Sequence, residues 1–514
     1  MKRHGPFQLS RRSVRLFYDI HSWAGILGGL AFFVCAYSGT LALFEQELIA
    51  WERPAVRPVA NGPEKTVDEL FAIAQGRLGT GDDMFVALPT PFTGGLQART
   101  FGDDGVTRIF VDPYTGEIDD DPYGSAFAFL THLHTDLHLP RPFGRYLVGL
   151  LGIFMLMSLI SGVMAHPKVF KELFLLRWRP KLRLSFSDLH KQVGVWGLAF
   201  GMVMAFTGAV IGLLGLIAPI MVLSAFGGDV GKATEAFSGP HYDRTGVEAE
   251  MLPVSELIAA AEERAPGFAV SSLFVEHWGD ETAEVSLNME RTPHDKLAAG
   301  ETHRLSLVDG RTLHVSTFTD RGIGSRLFGA MQPVHYALFG GMGLKLLYFI
   351  SGMVLSFGIA SGAVIWLEKR RTATADGQTR RDRYFWLGRA HLGICLGLVL
   401  GSVIAICAGR FAPEVIEPTF WLSWLAVAIA ACFVPSGFTL LRTGGFATAV
   451  LLAAVAVGDL VTSQRGTAET RSVDIAMLAL AALLAAAVAK FPRERAAAKR
   501  RDPGTSADPI PGRV

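Results

Sequence analysis

Asp19-Ile-His21-Ser-Trp-Ala-Gly25 returns much later in the chain as Asp188-Leu-His190-Lys-Gln-Val-Gly194. The agreement continues along both helices. Gly39 of Ser38-Gly39 lies 18 residues after His21, and Gly208 of Thr207-Gly208 lies 18 after His190. The helices that follow match too. Ser161-Gly162 corresponds to Ser361-Gly362, with His134 and His335 falling 28 and 27 residues upstream of those glycines. The first 370 residues therefore read as two copies of one unit, each a helix, an inserted domain and a second helix.

Composition says where these helices live. Half of the 514 residues are hydrophobic and 18% are charged, below the roughly 25% of a soluble domain. A span needs roughly 20 mostly apolar residues. Eight such stretches are present, at about 18–46, 144–166, 190–224, 335–367, 385–409, 418–441, 444–462 and 473–491. The expected fold class is mainly α: a polytopic membrane protein of eight helices. Two small α+β external domains sit in 47–143 and 225–334, between helices 1 and 2 and helices 3 and 4. The last two spans need only face lipid, and the count requires a tight cytoplasmic turn at Arg442, Thr443 and Gly444.

Orientation follows from where Lys and Arg collect. The N-terminal 1–17, the 167–189 and 368–384 loops and the tail 492–514 are all basic, whereas 47–143 holds 15 Asp/Glu against 7 Lys/Arg. Both termini are thus expected in the cytoplasm, and the net charge of +1 is a cancellation between two sides. That balance excludes a nucleic-acid binder working by bulk charge. Cys35, Cys395, Cys407 and Cys432 all lie in apolar runs, which argues against a disulfide scaffold, a zinc cluster or an iron–sulfur cluster. No phosphate-binding loop, dinucleotide fingerprint or H-E-x-x-H motif is present, so an electron source would be a separate cytoplasmic donor or quinol.

The inserted domains share a pattern. Each opens on a helix, at Val67-Asp-Glu-Leu-Phe and at Val254-Ser-Glu-Leu-Ile, and continues in strands. The first closes on Val111-Asp112-Pro113-Tyr-Thr115-Gly116-Glu117, a turn in which Pro presets φ and Gly permits positive φ; Val308-Asp309-Gly310 is its reduced counterpart. With the D-x-H-x-x-x-G helix starts and Leu133-His134-Thr-Asp-Leu137, these features resemble the PepSY-associated transmembrane family, which includes iron-regulated inner-membrane proteins and ferric-siderophore reductases. The resemblance covers about residues 14–370 and implies haem b held within the membrane.

Histidines inside a membrane are costly, so function is the default reading for them. One alone could simply anchor a helix end. Four in repeat-related positions favour ligation, because neutral imidazoles on facing helices are suitable axial haem ligands. His21 and His190 are read as starting helices at the cytoplasmic face, and His134 and His335 at the external face. This predicts two bis-histidine haems, and electrons crossing a ~30 Å hydrocarbon core by one intermediate hop. The [ST]-G glycines would let the flat macrocycle approach a helix, or serve ordinary helix packing.

Further candidates are His138, read as one turn after His134 on the same face, and His166 with His391, which could pair as a third site. Arg141 and Arg145 could meet haem propionates. On the cytoplasmic side Arg11, Arg12, Arg15, Arg183 and Lys191 are accounted for by the positive-inside bias. Asp19 and Asp188 are expected to be caps or interface residues. His132, His241, His277, His294, His303 and His314 are taken as ordinary surface or strand residues. The expected function is a haem-dependent ferric-siderophore reductase of the bacterial inner membrane, with the siderophore at the periplasmic side. The alternatives are a haem-free peptide-binding or sensory membrane protein and a siderophore or iron transporter.

Overall fold

A computed structural model describes residues 9–490 apart from 54–61, 82, 91–93, 103–104, 121–123, 167–181, 241, 292–299, 318–322, 371–381, 435–436 and 464–467. His241, His294 and most of the basic loop and tail residues lie outside the described set.

The first unit runs α1 (Arg11–Leu27), α2 (Gly29–Ala42), α3 (Glu45–Glu52), α4 (Val67–Leu78), β1 (Met84–Ala87), β2 (Leu96–Gly102), β3 (Gly105–Val111), β4 (Ile118–Asp119), α5 (Ala126–Thr135) and α6 (Phe143–Ala165). The second runs α7 (Leu182–Trp196), α8 (Leu198–Gly212), α9 (Leu214–Phe226), α10 (Val230–Ser238), α11 (Val254–Arg264), β5 (Phe268–Glu276), β6 (Glu284–Arg291), β7 (Glu301–Ser306), β8 (Thr312–Ser316), α12 (Ile323–Tyr336) and α13 (Gly341–Arg370). Four more helices follow: α14 (Arg383–Phe411), α15 (Ile416–Phe433), α16 (Gly437–Thr462) and α17 (Ala468–Ala489).

Among the described residues six helices are long and apolar enough to cross a membrane, and up to eight if each of two bent pairs counts as one span. The bent pairs fall in the apolar stretches 18–46 and 190–224. Helices α1 and α2 meet at 67°, and α7 and α8 at 64°. The break is Gly28 in one copy and Gly197 in the other, each seven residues after the motif histidine. Each bend carries a helix from one neighbour to another. Thus α1 packs on α6 of its own unit while α2 packs on α13 of the other, and α7 packs on α13 while α8 packs on α6. The crossings are close because small residues meet there. A Cβ on Gly352 would strike Thr40, and one on Gly152 would strike Ala209. These two contacts are repeat equivalents.

The inserted segments do not fold as two separate domains. They join into one eight-stranded antiparallel sheet of order β4-β3-β2-β1-β5-β6-β7-β8. The seam is the β1–β5 pair, Met84 opposite Val275 through Ala87 opposite Ser272. Helices α4 and α11 cover one face, burying Leu70, Phe71, Leu257, Leu273, Leu287 and Leu305, each contributing roughly 1.5–3 kcal/mol. Thr66 and Glu69 form a capping box on α4. The Asp112 turn forms as read: Asp112 Oδ1 accepts from Tyr114 N and Thr115 N, and Gly116 takes φ 76°. Gly310, at φ 69°, closes the matching turn.

The last four helices are not merely lipid-facing. Leu398, Ile406, Phe420, Val455, Ala456 and Met477 share a core with Tyr37, Trp51 and Phe127 of the first unit. Trp51 Nε1 donates to Asp474 Oδ1 at 2.8 Å, and Arg410 pairs with buried Asp459. Arg442, Thr443 and Gly444 lie inside α16 rather than in a turn; α15 ends at Phe433 and α16 begins at Gly437.

Glu52, at the end of α3 and 2% exposed, receives the Ala126 N–H at the start of α5 through Oε1, while Oε2 has no partner. Burial pushes its pKa up to about 8 against the hydrogen bonds from Ser125 and Ala126 that oppose the rise. The folded chain therefore binds a proton here that the unfolded chain has released. Between the ordinary glutamate pKa and about 8, stability should fall as pH rises. Glu52→Gln is expected to flatten the dependence of the melting temperature on pH between pH 5 and 8, read by thermal unfolding in detergent; an unchanged slope would reject this assignment.

Candidate functional site

The four repeat-related histidines come together as two pairs. His21 on α1 and His190 on α7 have ring centroids 6.1 Å apart, and His134 on α5 and His335 on α12 have theirs 6.0 Å apart. Each pair unites the two units. Neither His134 nor His335 starts a span. Both sit at the ends of short helices that turn sharply into α6 and α13 through residues of positive φ: Leu137 and His138 in one copy, Ala337, Gly340 and Gly341 in the other. His21 and His190 lie well inside α1 and α7, which begin earlier than 18 and 190.

One local arrangement repeats four times. His21 Nδ1 donates to Ser158 O at 2.8 Å, His190 Nδ1 to Gly358 O at 2.9 Å, and His134 Nδ1 to Cys35 O at 2.8 Å. His335 Nδ1 donates instead to Thr207 Oγ1 at 2.9 Å, whose own hydroxyl goes to Val203 O. In every case the ring lies against the glycine of an [ST]-G pair. A Cβ on Gly162, Gly362, Gly39 or Gly208 would stand 2.6–3.0 Å from the ring of His21, His190, His134 or His335 respectively. These glycines therefore make room for imidazole rather than for a macrocycle. An acceptor at Nδ1 fixes the proton there and leaves the Nε2 lone pair available. None of the four Nε2 atoms has a hydrogen bond among the described residues.

Each pair could offer two imidazole nitrogens to one metal atom. Two imidazoles bound at about 2 Å per nitrogen would have ring centres close to the observed separations. Among the described residues no group of three or more His, Cys, Asp or Glu could hold a metal by itself. The His134–His335 pair opens on a cavity of ≈ 440 Å³ that is also lined by Glu45, Arg145, Lys345 and Tyr348, within the usual range for a cofactor site of about 300–1,000 Å³. Beside the other pair, Gly25 and Gly194 lie one turn after His21 and His190 with open space where a Cβ would stand. On α13, Gly352, which lines that cavity, and Gly362, which seats His190, are ten residues apart, about 15 Å of helix.

The remaining candidates divide. Arg145 lines the cavity. Arg141 does not; its Nε donates to buried Asp136 at 2.8 Å. His138 lies beyond the end of α5 at φ 54°, so it does not share a face with His134; its Nε2 donates to Phe129 O at 3.0 Å. His391 is buried with Nε2 on Ala360 O of α13, whereas His166 caps α6 within electrostatic reach of His190. Neither Asp19 nor Asp188 caps a helix: Ser10 caps α1, and Asp188 is buried within α7. His303 is a buried strand residue rather than a surface one. Sequence reasoning missed Lys345, which reaches the cavity from α13 and pairs with Glu47.

Residues 18–369 match the family described as the PepSY-associated TM region. The chain belongs to this family. Within this PepSY-associated protein the match spans both units and stops before α14, so the last four helices lie outside it. An uncharacterized protein of Pseudomonas aeruginosa is 31% identical over 349 residues, covering 64% of this chain and 86% of the relative.

The Glu47–Lys345 pair joins α3 to α13 across the two units, with Glu47 only 6% exposed. Lys345→Met would leave a buried carboxylate without its partner, at a cost of about 3–5 kcal/mol. Chemical or thermal unfolding should show that loss, and adding Glu47→Gln should restore much of it. A single variant as stable as the parent would contradict the pairing.

Proposed function

We propose that this multi-pass membrane protein carries electrons through the bacterial inner membrane and delivers them to a ferric siderophore at the periplasmic face. His21 and His190 would hold one haem b through Nε2, and His134 and His335 the other. Bound haem supplies a one-electron Fe(III)/Fe(II) couple. The chain supplies the rest. The carbonyls of Ser158, Gly358 and Cys35 and the hydroxyl of Thr207 orient the imidazoles, so no ligand must reorganise as charge changes. Arg145 and Lys345 are cationic groups at the cavity lining suited to haem carboxylates.

The repeated seat carries the reading: four imidazoles, each with Nδ1 committed and Nε2 unbonded, in two pairs about 6 Å apart. Interface anchoring of helix ends requires no such pairing. Basic cytoplasmic loops and termini support the orientation, with electrons arriving from a separate donor or quinol. Reduction of the ferric ion weakens its hold by hard oxygen ligands, so iron leaves the siderophore as Fe(II).

Purified protein is expected to show reducible Soret and α bands and two haems per chain. His21→Ala or His190→Ala should remove one haem, and His134→Ala or His335→Ala the other. His138→Ala, His166→Ala and His391→Ala should retain both. A spectrum without these bands overturns the proposal and favours a haem-free binding or sensory protein.

A further inference from the structure

The face of the sheet opposite α4 and α11 carries Phe110 of β3. Arg53, at the end of α3, lies over the Phe110 ring on that face at 5.5 Å. Strand alternation puts Arg108 of β3, Arg99 of β2, Phe85 of β1 and Phe274 of β5 on the same face. The register aligns them in one row: Arg108 opposite Arg99, Arg99 opposite Phe85, Phe85 opposite Phe274. Phe101, next along β2 on this face, is 49% exposed and meets Phe274 edge-on at 6.5 Å.

Two arginines directly opposite in a sheet repel. Neither Arg99 nor Arg108 has an ion-pair partner among the described residues. The Arg99 guanidinium lies 4.3 Å from the Phe85 ring and 5.5 Å from the Phe101 ring, with Nε buried and without a hydrogen bond. Burial, with the Arg108 charge beside it, pushes its pKa down. The patch lies within electrostatic reach of the cavity shared by His134 and His335, because the Arg108 charge acts on Glu45, which lines that cavity.

We propose that Arg99, Arg108, Phe85 and Phe101 form a binding site for an anionic ferric chelate whose oxygen donors are carried on aromatic rings, a phenolate or catecholate complex. The guanidinium forks would take the aryl oxygens, and the exposed Phe101 ring would stack on an aryl ring of the chelate. A neutral tris-hydroxamate complex satisfies neither. That the bound chelate is ferric rests on the reductase reading; the selection for anionic aryl oxygens rests on the patch alone.

The test uses full-length protein in detergent and redox-inert Ga(III) chelates, so binding is measured without electron transfer. Calorimetry should give an affinity for Ga(III) tris(2,3-dihydroxybenzoate) at least about tenfold above that for Ga(III) tris(acetohydroxamate). Arg99→Gln and Arg108→Gln should each lower the former about tenfold, the scale of one charge-assisted hydrogen bond, and reduce its salt dependence. Phe101→Ala should weaken it without changing the salt dependence. Should Arg99→Gln melt early, Arg99→Lys keeps the charge without the fork and should bind at an intermediate level. Equal affinity for the two chelates, or parental affinity in both arginine variants, overturns the site. Selective binding of the aryl-oxygen complex without reduction of its Fe(III) form supports the site and refutes the reductase reading instead.

Discussion

An imidazole N–H donating across to a neighbouring helix, beside a glycine that leaves room for the ring, is the contact on which the membrane region is built. A buried ring nitrogen without a partner costs several kcal/mol in hydrocarbon. A helix carbonyl keeps a second lone pair after its own helical bond, so it can accept at no loss. For Cys35, Ser158 and Gly358 the accepting carbonyl lies four residues before the glycine, on the same helix face. The glycine thus fixes how near the histidine can come, and the carbonyl fixes how the ring is turned. At His335 a threonine hydroxyl takes the carbonyl's part with the same result.

The paired geometry follows from the bends. Were α1–α2 and α7–α8 straight, each unit would pack on itself and the two halves would share little. Bending at Gly28 and Gly197 sends α2 and α8 into the opposite unit, so the pairs form where two equivalent surfaces meet. This is the isologous logic of a twofold dimer within one chain. The sheet obeys it as well, with β1 and β5 meeting on the same axis. The additional helices break the symmetry: they cover α3 and α5 of the first unit, while α9 of the second keeps Leu216, Ile220 and Leu223 exposed.

Much of this was legible in the chain. The spacing from His21 to Gly39 and from His190 to Gly208 marked equivalent helices, and the paired histidines were named from the repeat. Their partners were not, because a backbone carbonyl has no side-chain signature. The apolar run 18–46 hides its bend, since glycine fits a straight span as well as a broken one. His138 was misassigned by helical periodicity; the helix had already ended at Thr135, and positive φ at Leu137 reversed the chain. Lys345 escaped notice because a lone lysine at the start of an apolar helix reads as an interfacial anchor. The merging of two inserted domains into one sheet could not be read from either alone, as each offers a complete α-plus-four-strand pattern.

The β1–β5 seam has a consequence for biosynthesis. Strand β1 is complete long before β5 emerges, and between them the chain must insert α6 and α8 into the bilayer. Throughout that interval β1 is an open edge, able to pair with any suitable strand nearby. Its natural partner is also carried by every neighbouring copy of the same chain. Exchange of β5 between two nascent molecules would satisfy the ladder equally well and yield an entangled dimer, so the rate of membrane insertion, rather than strand affinity, decides whether the sheet closes within one chain.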